Sequence, residues 1–182
     1  MTEYSGSDIP FLSASATAVA IGAKDVSSVE VVQAYLDRID RLDPTLKAYI
    51  PVCREEALTA ASQLDSDLAS GANCGPLAGV PVAVKDQYQT AGILTTNGSK
   101  VYQNFVPTQD ATVVSRIKQA GGILLGKLNL SELAMGGTEQ PPWGIPGNPW
   151  DLERTPGESS SGSGVALAAH LCAASMGEDT GG

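Results

Sequence analysis

The stretch Thr155-Pro156-Gly157-Glu158-Ser159-Ser160-Ser161-Gly162-Ser163-Gly164 constrains this chain most. It runs straight into the apolar, Ala-rich segment Val165 to Ala169. A flexible spacer stays polar on both sides. Here a glycine-serine loop leads into a helical pattern, which sets backbone N–H groups and hydroxyls at a helix N-terminus. The stretch therefore reads as a built site, and the rest of the fold has to bring partners to it.

The elements around it follow from spacing. Residues 12–22 are Ala-rich and predict a short helix. Ser27-Ser28-Val29-Glu30 has the form of a capping box. Behind it Val32, Tyr35, Ile39 and Leu42 recur at helical steps, and Pro44 is expected to close that helix. Residues 49–52 predict a strand, and residues 54–68 a helix with Ala57, Ala61, Leu64 and Leu68 on one side. Val80 to Val84 is a short apolar run with Pro81 near its start, a buried strand. Asp110 is placed to N-cap a helix over 111–120, and Gly121 suits its C-terminus. Residues 122–126 predict a second buried strand. Residues 136–158 predict loop, then comes the serine-loop helix and a strand near 172–176. Strands alternating with helices imply an α/β fold with a mixed β-sheet flanked by helices. The chain stops at Asp179-Thr180-Gly181-Gly182, straight after a strand, and so reads as cut.

Composition narrows the class. At 42% hydrophobic and 17% charged residues, the chain can build a core and is not disordered. Its net charge of −9 argues against a nucleic acid or an anionic membrane as partner. Cys53, Cys74 and Cys172 are odd in number and widely spaced, which fits reduced thiols in a cytoplasmic protein. No apolar run reaches the ~18 residues of a membrane span. The N-terminus has no basic region, so no signal peptide is expected.

Several motifs are decoys. Gly121 to Lys127 fits G-x-x-x-x-G-K, but Leu128 stands where a hydroxyl would bind Mg²⁺, and a strand lies between the glycines. Ser115-Arg116-Ile117-Lys118 fits S-x-x-K but lies within a helix, with no K-T-G after it. Gly162-Ser163-Gly164 lacks the third glycine of a dinucleotide loop. His170, the one histidine, reads as structural. No cluster points to a metal. A serine nucleophile needs a base, and a lysine is the next candidate. Lys85 follows the apolar run Val80 to Val84. It is either a surface charge or a buried amine, and burial favours the neutral form that works as a base.

Taken together, these segments resemble the amidase signature family. Gly79-Val80-Pro81-Val82-Ala83-Val84-Lys85-Asp86 is similar to its lysine strand. Residues 110–114, 126–136 and 147–157 are similar to the segments between. Ser159-Ser160-Ser161-Gly162-Ser163-Gly164 resembles its Ser-Ser-Gly-Gly-Ser-Gly loop, and Gly177-Glu178-Asp179-Thr180-Gly181-Gly182 resembles the approach to its nucleophile. The resemblance runs from about residue 25 to the end. It implies an N-terminal helical segment over 1–24, followed over 25–182 by the N-terminal part of a single amidase domain.

What the resemblance implies is hydrolysis of a carboxylic amide by a Ser-Ser-Lys triad through an acyl-enzyme. Lys85 would be the base and Ser159 the bridging serine, held in a cis peptide bond. Thr180, Gly181 and Gly182 would supply the oxyanion hole, with Ser160 and Asp179 in supporting roles. The nucleophilic serine is expected immediately after Gly182. No cofactor or metal is implied. The expected partner is a small-molecule amide; no nucleic acid or membrane is expected, and a homodimer is the oligomer considered. Glu158, Ser161 and His170 stand where the family pattern has glycine. A general amidase is the favoured reading. Its alternatives are the glutaminase subunit of a tRNA-dependent amidotransferase, an inactive or truncated amidase-like chain, and an α/β binding domain.

Overall fold

A computed structural model describes residues 4–135 and 141–179. Its four strands, β1 (Tyr49–Val52), β2 (Pro81–Lys85), β3 (Ile123–Leu128) and β4 (Ala174–Met176), form one mixed sheet in the order β1-β3-β2-β4. β2 runs parallel to both β3 and β4, and β1 runs antiparallel to β3. The expected mixed α/β architecture is therefore present. Its three parallel strands all end on the same edge of the sheet.

Among the described residues five α-helices accompany the sheet: α1 (Ala14–Gly22), α2 (Ser28–Leu46), α3 (Arg54–Ala69), α4 (Thr112–Gln119) and α5 (Ser161–Ala168). α2 begins in the predicted capping box. The Ser27 hydroxyl accepts from Glu30 N at 3.1 Å, and the Glu30 carboxylate accepts from Ser27 N at 2.8 Å. Its apolar stripe, Val31, Val32, Tyr35, Leu36 and Ile39, is buried in a core shared with Ala57 and Ala61 of α3 and with Ala83, Leu125 and Leu128 of the sheet. Each such side chain withdrawn from water contributes about 1.5–3 kcal/mol. Ile9, Ala20 and Ile21 from the N-terminal segment join the same core. Among the described residues no helix is long and apolar enough to cross a membrane.

Two local expectations need correction. Pro44 does not close α2, which continues to Leu46. Near a helix end proline forfeits only one backbone hydrogen bond. The stop comes instead from Lys47, in the left-handed conformation at φ 51°, and from the Asp43 carboxylate, which accepts from Ala48 N and Tyr49 N. Asp110 does not cap α4, whose N-cap is Ala111. The Asp110 carboxylate is turned to Ala91 N and Lys118 Nζ, each at 2.8 Å. A backbone donor from another loop and a cation outcompete the helix end. Strand boundaries also move: β2 takes in Lys85 and β3 reaches Leu128, because pairing between them continues to Lys85 opposite Leu128.

Candidate active site

The carboxyl ends of parallel strands are where open α/β sheets bind ligands. Here that edge gathers Lys85 at the end of β2, Asn129 just after β3, and Gly177 and Glu178 just after β4. The serine loop is docked onto the same edge. Gly162 N donates to Asn129 O at 3.0 Å. A Cβ built on Gly162 would lie 2.4 Å from Asn129 O and 2.7 Å from Ala48 O, so only glycine lets the loop lie this close. α5 then starts at Ser161, with its N-terminus at the sheet edge.

Lys85 is the buried amine of the two options its position left open, with no solvent exposure. Its Nζ lies 3.0 Å from Glu178 Oε2 in an ion pair, and it also donates to Glu178 O at 3.5 Å. The carboxylate offsets the cost of burying the ammonium. Ser160 clamps the same residue: its Oγ donates to Glu178 O at 2.6 Å, and Glu178 N donates back to Ser160 Oγ at 3.1 Å. Tyr88 donates to Gly177 O at 2.9 Å. Burial, and then the Glu178 charge, push the Tyr88 phenol above its ordinary range.

The other predicted site residues are distributed as follows. Ser159 is half-buried in the loop, next to Ser160. Among the described residues no hydrogen bond joins it to Lys85; the lysine reaches the serine loop through Glu178 and Ser160. All peptide bonds among the described residues are trans, so the cis bond expected at Ser159 is not present. For a non-proline residue, trans is the lower form by about 2.5–4 kcal/mol. Asp179 is exposed and follows Glu178 directly. Thr180, Gly181 and Gly182 lie outside the described residues. Ser163 is buried in the first turn of α5, its Oγ without a hydrogen bond among the described residues.

Residue pattern alone missed a second buried lysine. Lys127 figured in a false phosphate-loop match and in the 126–136 segment of the resemblance, with no role given to it. It lies in β3 opposite Val84, on the face of the sheet that Asp86 shares. Its Nζ is 3.0 Å from Asp86 Oδ1 and 2.8 Å from Thr95 Oγ1. Asp86 Oδ2 accepts from Thr96 N at 2.7 Å and also from the Thr96 hydroxyl. Burial pulls the Lys127 amine below its ordinary range, and the Asp86 charge opposes that. The pair locks the segment that follows Lys85 to the neighbouring strand. A charged residue inside the apolar run Ile123 to Leu128 was the available signal. Glu178 was missed too, since nothing in its neighbourhood along the chain points to Lys85.

His170 follows α5 at φ 54°, the left-handed region that glycine adopts without strain. This accounts for the glycine in the family pattern there. The ring compensates by packing on Phe11, with centroids 4.7 Å apart, and Arg38 covers the same Phe11 ring. Its structural role is as expected. Among the described residues no three His, Cys, Asp or Glu side chains are grouped as a metal site requires.

Comparison with known proteins agrees with this architecture. The family model described as Amidase matches residues 30–182. One subunit of the glutamyl-tRNA(Gln) amidotransferase of Carboxydothermus hydrogenoformans is 48% identical over 176 residues, which is 96% of this chain and 36% of that protein. The chain thus spans about a third of the length of the curated relatives it matches. Among solved structures, the native peptide amidase of Stenotrophomonas maltophilia superposes with a TM-score of 0.84 at 35% identity, over 90% of this chain and 36% of that one. Fatty acid amide hydrolase superposes with a TM-score of 0.87 at 25% identity, over 95% of this chain and 30% of that one.

Proposed function

This chain belongs to the amidase signature family, and from that premise we propose that it carries the base and relay of an enzyme that hydrolyses carboxylic amide C–N bonds, in the manner of a glutaminase subunit of a tRNA-dependent amidotransferase. The general amidase favoured by the residues alone takes second place. What moves the balance is the 48% identity to a glutamyl-tRNA(Gln) amidotransferase subunit, against 35% to a peptide amidase. The observation that carries the chemistry is the fully buried Lys85 amine at the carboxyl end of β2, linked to the serine loop through Glu178.

In this reading Lys85, once neutral, takes a proton from Ser159. Ser159 in turn takes one from a serine that the family resemblance puts directly after Gly182. That serine attacks the amide carbonyl, and backbone N–H groups of Thr180, Gly181 and Gly182 receive the oxyanion. The proton returns through Ser159 to the leaving amine, and water releases the acyl group. Asp179 and Ser160 hold the turn and the loop. The reaction needs no metal or organic cofactor. The three free cysteines fit a cytoplasmic setting. The proposed substrate is glutamine, and the proposed partners are the other subunits of the amidotransferase.

The test is Lys85→Ala in the full-length protein, assayed for ammonia release from glutamine and from simple amides. A fall of at least ~10² in kcat is expected. Hydrolysis near the parent rate overturns the reading. Strict dependence on glutamine, with co-purifying subunits, supports the glutaminase form. Turnover of peptide or fatty amides by the isolated protein supports the general amidase.

A further inference from the structure

We propose that Glu178 is a positioning residue for Lys85, fixing the place and direction of its amine at the end of β2. This inference rests on Lys85 being the base.

Both hydrogen-bond acceptors of Lys85 Nζ among the described residues belong to Glu178, the carboxylate at 3.0 Å and the main-chain carbonyl at 3.5 Å. The lysine side chain is wholly buried, whereas the Glu178 side chain is 28% exposed. The carboxylate thus reaches inward from the rim of the site, and solvent touches it but not the amine. Its backbone is not free to carry it away. Ser160 grips Glu178 at both N and O, and Tyr88 holds the preceding carbonyl of Gly177. The carboxylate therefore stands against the amine as part of the fold.

The neighbouring charges leave this role to Glu178. Asp86 and Lys127 face each other on the opposite side of the sheet. Tyr88 is engaged with Gly177 O. Glu158 and Asp179 are exposed. The ion pair and the carbonyl contact together fix where the amine points. Glu178 thus aims the amine.

The experiment compares kcat and KM for amide hydrolysis by the full-length protein and by its Glu178→Gln, Glu178→Ser and Glu178→Asp variants. Losing the carboxylate lowers kcat roughly tenfold in Gln and Ser while KM stays with the parent. The Asp variant keeps the charge and stays with the parent. The Ser variant provides the reading if Gln fails to fold. A parental kcat in both charge-free variants, or an equal rise in KM, overturns the inference, while a dead Lys85→Ala leaves the hydrolase reading standing. An active Lys85→Ala overturns that reading itself.

Discussion

Lys127 Nζ sits 3.0 Å from Asp86 Oδ1, and neither side chain has any exposure to solvent. An ion pair in such a place is costly to form and more costly to break, because the surviving partner keeps its charge with no compensation. Lys127→Met is expected to lower stability by about 3–5 kcal/mol in denaturant unfolding. A loss below about 1 kcal/mol would show that water or a neighbour takes over Asp86.

The capping box of α2 gives a stability difference that depends on pH. The Ser27 backbone N–H, then its hydroxyl, hold the Glu30 carboxyl below its ordinary range. A carboxylate lowered by folding contributes stability above its unfolded value and loses it as pH falls through its folded value. Ser27→Ala should cost about 1 kcal/mol at neutral pH, and Glu30→Gln should flatten the acid limb of the stability curve. Thermal melts from neutral pH down to pH ~3 read both; parallel curves for parent and Glu30→Gln count against the assignment.

Gly162→Ala tests how tightly the serine loop is seated. The added methyl meets main-chain atoms of Asn129 and Ala48 on the sheet edge, so the backbone has to move. A cost of about 1–3 kcal/mol is expected. Activity of the full-length protein should fall further than stability alone accounts for, since the loop carries Ser159 and Ser160. Unchanged melting and turnover would mean that the loop has room.

The cysteines should separate cleanly by reactivity. Burial pushes the Cys53 and Cys172 thiols up to about 12, whereas Cys74 is only half-buried. Since the thiolate is the reactive form, a disulfide reagent at pH ~8 should modify Cys74 first in the native protein, and the other two only on unfolding. Peptide mapping reads the order, and early labelling of Cys172 would contradict the packing around it.

Much of the fold could be read from the residues because its signals are local. The capping box at Ser27, the helical stripe from Val32 to Ile39 and the apolar strand before Lys85 each depend on neighbours within a few positions. Pro44 and Asp110 misled because their outcome is decided elsewhere. Asp43 ends the helix by reaching forward to β1, and Asp110 is claimed by Ala91 and Lys118. In the site, Lys85 was legible as a charge closing an apolar run. Its partner was not, because Glu178 lies 93 positions away and meets it only through parallel pairing of β2 and β4. Lys127 carried the same kind of signal as Lys85 and was hidden by a motif that happened to overlap it.

The parallel arrangement of β2 and β4 also bears on when this protein becomes competent during folding. A ribosome delivers the lysine long before the glutamate, and the long intervening crossover has to close before the two can meet, at an entropic cost that grows slowly with its length. Until then the amine remains hydrated. Docking of β4 is thus the event that converts a surface cation into a dry, tethered one.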